Sequence, residues 1–263
     1  MTKIFSLTII LFLLRYSLSF ASNKADHTLN PIVTEFGTRC ERDLCIVKTT
    51  DSLRVKDIWN NYIKALGGVD NLMKVRDRTT IMESHINGQN IVIEIYQKVP
   101  DKMKQRLTTS SITQSIYFDG RNGVIEIGGK KINIIDGELE KIKYESMINF
   151  ITNIDSLGVK LNLDGIEKVN DIDCYKIELL LPSGLKIIQY FDLKTWLKVK
   201  QIENVTVTQN TFVQETYFND YREVMGVKYP FSIKESLGSQ SMDITVTSIK
   251  VNTGLDDSLF VIK

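Results

Sequence analysis

The segment Asn87-Gly88-Gln89-Asn90-Ile91-Val92-Ile93-Glu94-Ile95-Tyr96 decides the fold class of this chain. Isoleucines at 91, 93 and 95 alternate with Val92, Glu94 and Tyr96, the two-residue period of a strand with one buried face. Asn87-Gly88 just before it is the pair that a two-residue hairpin turn selects, because both turn positions need a left-handed backbone. The same pattern recurs to either side. Strand-like stretches begin at Thr79 and continue over Met103 to Thr109, Ile112 to Phe118, Gly123 to Ile127 and Lys130 to Ile134. A second series covers Val159 to Leu163, Cys174 to Leu181, Leu185 to Asp192, Leu197 to Val207 and Phe212 to Val224. Val227 to Glu235, Met242 to Val251 and a short last strand over Leu255 to Phe260 complete it. Asp119-Gly120, Gly128-Gly129, Asn170-Asp171 and Pro182-Ser183-Gly184 punctuate these runs as turns. Links this short join antiparallel neighbours, since a parallel partner needs a long crossover.

Two helical patterns interrupt the strands. Val55, Ile58, Trp59, Tyr62, Ile63 and Leu66 recur every three or four residues, so a helix is expected from Asp51 or Ser52 to the stop at Gly67-Gly68. Asp70 is placed to cap a short further turn through Leu72 and Val75. Asp136 is placed to cap a second helix whose stripe is Leu139, Ile142, Met147 and Phe150. About ten strands in one meander curl, because each pair adds right-handed twist. The expected architecture is mainly β, a curled antiparallel sheet forming an incomplete β-barrel with a helical lid.

The 263 residues are 43% apolar and 25% charged, enough for one sizeable core. With 33 basic and 32 acidic residues, the net charge of +1 supplies no positive surplus for nucleic acid. Lys3, the apolar run Ile4 to Leu14, and the small residues Ser19 and Ala21 form a signal peptide over 1–21, which places the mature chain in the periplasm. A single membrane anchor is the alternative. Residues 22–50 read as a flexible leader, and 51–263 as one domain. Export permits disulfides, and Cys40 and Cys45 are spaced to close a small loop; a metal site is disfavoured because no histidine or further cysteine lies near. Cys174, inside a strand pattern, reads as a small buried apolar residue.

No catalytic constellation emerges. The only histidines, His27 and His85, have no nucleophile elbow and no second metal ligand at helical spacing, so neither enzyme, metal nor cofactor is expected. The best binding candidates are aromatic. Tyr96, Tyr117, Tyr190, Tyr217 and Phe231 lie in strands, and Trp59 and Tyr62 lie on the first helix. Packing of the sheet against its lid is the competing role for each of them.

Several short motifs resemble a known family. Tyr62-Ile63-Lys64-Ala65-Leu66-Gly67-Gly68, Pro100-Asp101-Lys102-Met103 and Phe118-Asp119-Gly120 occur in the order found in outer-membrane lipoprotein-sorting proteins, the LolA/LolB-like lipoprotein-localisation fold in its long Bacteroidetes-type form. Asp220-Tyr221-Arg222-Glu223-Val224, Gly226-Val227-Lys228-Tyr229-Pro230, and Val251-Asn252 with Leu255-Asp256-Asp257-Ser258-Leu259-Phe260 continue the resemblance, which spans roughly residues 55–263. It implies an incomplete barrel whose hollow, lidded by helices, holds the acyl chains of a lipid or lipoprotein. The function expected is therefore a non-catalytic periplasmic carrier. The alternative is an interaction module that fills its own hollow and engages another cell-envelope protein.

Overall fold

The computed structural model describes residues 44–262 apart from Asn87, Thr208 and Gln209. The signal segment 1–21 and the leader up to residue 43 lie outside the described residues, and so does Cys40, with which Cys45 is expected to pair. Helix α1 spans Leu44–Leu66, so it begins seven residues earlier than Asp51, and both Asp51 and Ser52 lie within it instead of capping it. Helix α2 (Gly68–Lys74) follows with Gly67 as its N-cap, which leaves Asp70 in its first turn. Helix α3 spans Asp136–Ser146. Its N-cap is Ile135, without a side-chain bond, so Asp136 does not cap it, and Met147 and Phe150 lie past its end.

Thirteen strands are present among the described residues, one for each strand-like stretch of the sequence except the last, and more than the round figure of ten. They are β1 (Asp77–Ile86), β2 (Gln89–Lys98), β3 (Lys102–Thr108), β4 (Thr113–Phe118), β5 (Gly123–Ile127), β6 (Lys130–Ile134), β7 (Lys160–Val169), β8 (Ile172–Leu180), β9 (Lys186–Asp192), β10 (Lys198–Val207), β11 (Asn210–Val224), β12 (Val227–Leu237) and β13 (Gln240–Val251). The expected last strand is instead a 3-10 turn, Asp257–Phe260, whose start is fixed by Asp256 accepting from Ser258 N at 2.8 Å.

All strands join one antiparallel sheet in the order β6-β5-β4-β3-β2-β1-β13-β12-β11-β10-β9-β8-β7. Every neighbour is a sequential hairpin except the central pair β1–β13, which brings Arg78 opposite Val251 and Ser84 opposite Ile244. The Gly128-Gly129 and Asn170-Asp171 turns have positive φ at both positions, as two-residue hairpins require. The sheet of described residues is not closed, and β6 and β7 are its terminal strands. It is nevertheless strongly curled: Val205 of β10 and Leu237 of β12 share one buried cluster with Ile116, Phe118 and Ile125 of β4 and β5, together with Ile142 of α3. A second cluster, Met82, Ile91, Ile93, Leu107, Met242, Ile244 and Val246, fills the concave side of the central strands.

Several of the family-like motifs meet one another in the fold. Gly67 packs on the carbonyl of Gly226, and Asn71 Nδ2 donates to both Gly67 O and Gly226 O. Gly120 abuts Asp101, whose carbonyl accepts from Ser146 Oγ at 2.9 Å. Asp77 accepts from Thr253 N and Gly254 N at 2.8 and 2.9 Å, which holds its carboxyl below the usual range against burial and ties the C-terminal segment to β1.

Candidate functional site

Helix α1 lies on the concave side through the stripe read from its spacing: Val55, Ile58, Trp59, Tyr62, Ile63 and Leu66 are all buried. Trp59 is edge-on to Phe191 of β9, and its Nε1 donates to Ile151 O at 2.9 Å. That bond fastens the lid helix to the segment following α3. Between α1, α2, that segment and β10–β12 lies a cleft of about 320 Å³, near the lower end of ordinary small-molecule sites. Tyr62, Leu66, Leu72 and Val75 form its helical wall; Tyr144, Ile148 and Ile151 close one side; Phe218, Tyr221, Val227 and Tyr229 form its strand wall. Tyr62 and Tyr221 are enclosed, and burial raises both phenols above their ordinary value.

Four charged side chains, Arg78, Glu145, Lys198 and Lys228, also line this cleft. Lys198 Nζ donates to Gln201 Oε1 at 3.0 Å and lies 4.3 Å from the centre of the Phe218 ring. Burial pushes its amine down to about 8, with the Glu203 carboxylate acting in the other direction. Arg78 stacks over Tyr229 at 5.3 Å and donates through Nε to Gln97 Oε1 at 3.1 Å.

Beyond the cleft the concave side is polar as well as apolar. Gln189, Gln201, Thr216 and Glu235 are direct cross-strand partners in β9, β10, β11 and β12, forming a transverse belt. Glu235 is completely buried, and neither of its carboxylate oxygens has a hydrogen-bond partner among the described residues. Burial, then repulsion from Glu203 and Glu145, pushes its carboxyl up to about 8, against the pull of Lys141. Lys141 of α3 reaches Glu203 Oε2 at 2.5 Å, an ion pair buried on both sides. Burial opposes its charge most strongly, yet Glu203 and Glu145 together raise its amine above the ordinary value.

The seven aromatic candidates divide between the two faces. Trp59, Tyr62 and Phe231 lie on the concave side, and of these Tyr62 lines the cleft. Phe231 joins two core clusters, with Arg222 over its ring. Tyr96 alternates with the core residues Ile93 and Ile95, so it points the other way, where its hydroxyl donates to Glu94. Tyr117 lies 5.1 Å from Lys104 Nζ and faces a separate cleft against Leu259 and Val261. Tyr190 and Tyr217 pack with Cys174 in a minor cluster and bond Glu167 and Glu215. In each of these strands the aromatic has the opposite parity to the core residues.

Cys174 is fully buried, and its thiol is pushed up to about 11, as an inert core residue should be. His85 sits exposed on β1, with Nδ1 2.7 Å from Asn90 Oδ1. No group of three or more metal-ligating side chains occurs among the described residues, and no described helix is long and apolar enough to cross a membrane.

Missed by the sequence reading were Arg78, Lys198, Tyr221 and Glu235. A signal existed for the last: Glu235 shares parity with Tyr229, Phe231 and Ile233, and a charge on the apolar parity marks a buried polar group.

No protein-family model matches the chain, and no curated protein matches its sequence. Its fold does match solved structures. A LolA superfamily protein from Nitrosomonas europaea aligns at TM-score 0.53 with 12% identity, over 79% of this chain and 97% of that one. A DUF1329 family protein from Desulfovibrio piger aligns at 0.53 with 13% identity, over 79% and 97%. A domain described as an outer membrane lipoprotein-sorting protein, from Vibrio parahaemolyticus, aligns at 0.52 with 11% identity, over 80% and 97%. The chain therefore has the LolA-like fold, an open, curled antiparallel sheet lidded by helices.

Proposed function

We propose that this chain is a non-catalytic carrier of the cell envelope that shelters an acyl chain of a lipid or lipoprotein beneath helix α1. The observation that carries this reading is the cleft between lid and sheet, walled by Leu66, Leu72, Val75, Ile148, Phe218 and Val227. Each methylene sheltered there from water contributes about 0.8 kcal/mol, so even part of a chain is held usefully. The likeness to a lipoprotein-sorting domain supports the same reading, and the export segment read at residues 1–21 supports its location in the periplasm.

One observation favours a second reading, an interaction module. Outside the cleft, the hollow is occupied by the chain's own side chains, with Phe118, Ile125, Ile177 and Ile244 at most 1% exposed. In that case the terminal strands β6 and β7, which have no further strand neighbour among the described residues, offer backbone groups to a partner.

Native mass measurement and lipid extraction of protein purified gently from the periplasm separate the two. A stoichiometric acyl species is the result expected of a carrier. An empty protein that takes up no fluorescent fatty acid, yet retains one envelope partner, would establish the module instead.

A further inference from the structure

The charges lining the cleft are not those of a purely hydrocarbon site. Lys198 and Arg78 both open onto it, and neither makes an ion pair within 4.0 Å among the described residues. Their partners are neutral. Lys198 has the side-chain oxygen of Gln201 and the face of Phe218; Arg78 has the side-chain oxygen of Gln97 and the face of Tyr229. Gln97 is itself held by donating Nε2 to Glu145 O at 2.7 Å, so the Arg78 guanidinium is fixed in place. Lys228 adds a third cation to the lining. Glu145 is the one acid there, and its charge acts on Lys141 and Glu235 deeper inside.

We propose that the cleft binds an acyl amphiphile bearing an anionic head, a carboxylate or a phosphate, with Lys198 and Arg78 as its counter-charges and the apolar walls taking its chain. This rests on the carrier reading and narrows it, because the acylated end of a lipoprotein has no such anion on its chains. The physical case is one of compensation. A desolvated amine held by an amide oxygen and a ring face, with the Glu203 carboxylate acting on it from outside ion-pair distance, still gains from an anion in direct contact. The depressed amine of Lys198 fits that state: burial disfavours its charged form, and an anion in contact would favour it. A guanidinium offers a planar fork that matches carboxylate or phosphate oxygens. A neutral or cationic head in the same place would leave both cations unanswered.

The test compares amphiphiles of one chain length on the whole mature protein: dodecanoate, dodecyl phosphate, dodecanol and dodecylamine, each displacing a fluorescent acyl probe at neutral pH. The two anions are expected to bind at least about tenfold more tightly than the alcohol, and the amine more weakly than the alcohol. Lys198→Met should bring the anions to within about twofold of the alcohol while alcohol binding persists. Arg78→Gln serves as the second variant should the first not fold. Preference for dodecyl phosphate over dodecanoate identifies a phospholipid-type head, and the reverse a free fatty acid. Equal binding of alcohol and acid overturns the anion assignment and leaves the acyl carrier standing. Failure of all four to bind overturns both.

Discussion

Gly67 and Gly226 are in such close register that a Cβ on Gly67 would lie 2.0 Å from the Gly226 carbonyl oxygen. Gly67 also has φ 126, a conformation L side chains rarely adopt. Two motifs 159 residues apart thus meet as bare backbone, fixing where the lid helix ends against β12. Gly67→Ala should destabilise the protein by about 2–4 kcal/mol, the sum of backbone strain and overpacking. Gly68→Ala, which faces open space at φ 83, should cost only about 1 kcal/mol. Urea unfolding of the two variants measures the difference.

Lys141→Met should cost about 3–5 kcal/mol, because it leaves the Glu203 carboxylate buried without its cation. Adding Glu203→Gln should recover most of that loss. A double-mutant cycle in urea checks this, and simple additivity would show that the pair is not coupled.

Stability should fall as pH rises between about 4.5 and about 8. Glu235 keeps its proton in the folded protein up to about 8, whereas the unfolded chain releases it near 4.5. Through that window the folded state binds more protons, so its contribution declines by on the order of 1 kcal/mol per pH unit. Glu235→Gln should flatten the slope and raise stability most at the alkaline end. Urea midpoints at roughly pH 5 and pH 8 test this, because a carboxyl already ionised in the fold would contribute almost no slope across that window.

Acyl binding should be insensitive to the tyrosines of the outer face. Tyr96→Ala and Tyr217→Ala should change affinity for a fluorescent fatty acid by less than about twofold, since neither lines the cleft. Ile148→Trp, which puts a larger ring at the cleft wall, should abolish uptake. Titrations of the three variants decide whether the cleft is the site.

Most of the fold was legible because its determinants are local. Alternating isoleucines in β2, the Gly128-Gly129 and Asn170-Asp171 turns, and the stripe from Val55 to Leu66 each specify an element within a few residues. The segment Leu255 to Phe260 departs from the expected strand because it pairs with no strand among the described residues, and Asp256 starts a 3-10 turn. The site was less legible. Residue type alone does not say which face an aromatic takes, and parity sends Tyr96, Tyr117, Tyr190 and Tyr217 to the far side of the sheet. The groups that give the cleft its character, Lys198 and Arg78, look like ordinary surface cations in sequence. Their placement depends on curling and on the register shift between Lys198 and Lys200, neither of which is encoded nearby.

The β1–β13 seam bears on how the molecule is made. Residues 77–86 begin the sheet and residues 240–251 complete it, so its two halves are joined along strands from opposite ends of the sequence. Neither half can acquire its central neighbour until the final strand has been released, and a loop of this length closes slowly. A polypeptide delivered from its N-terminus therefore spends its passage as an unfinished sheet with an exposed interior margin, which makes late assembly the step most vulnerable to aggregation and most in need of protection.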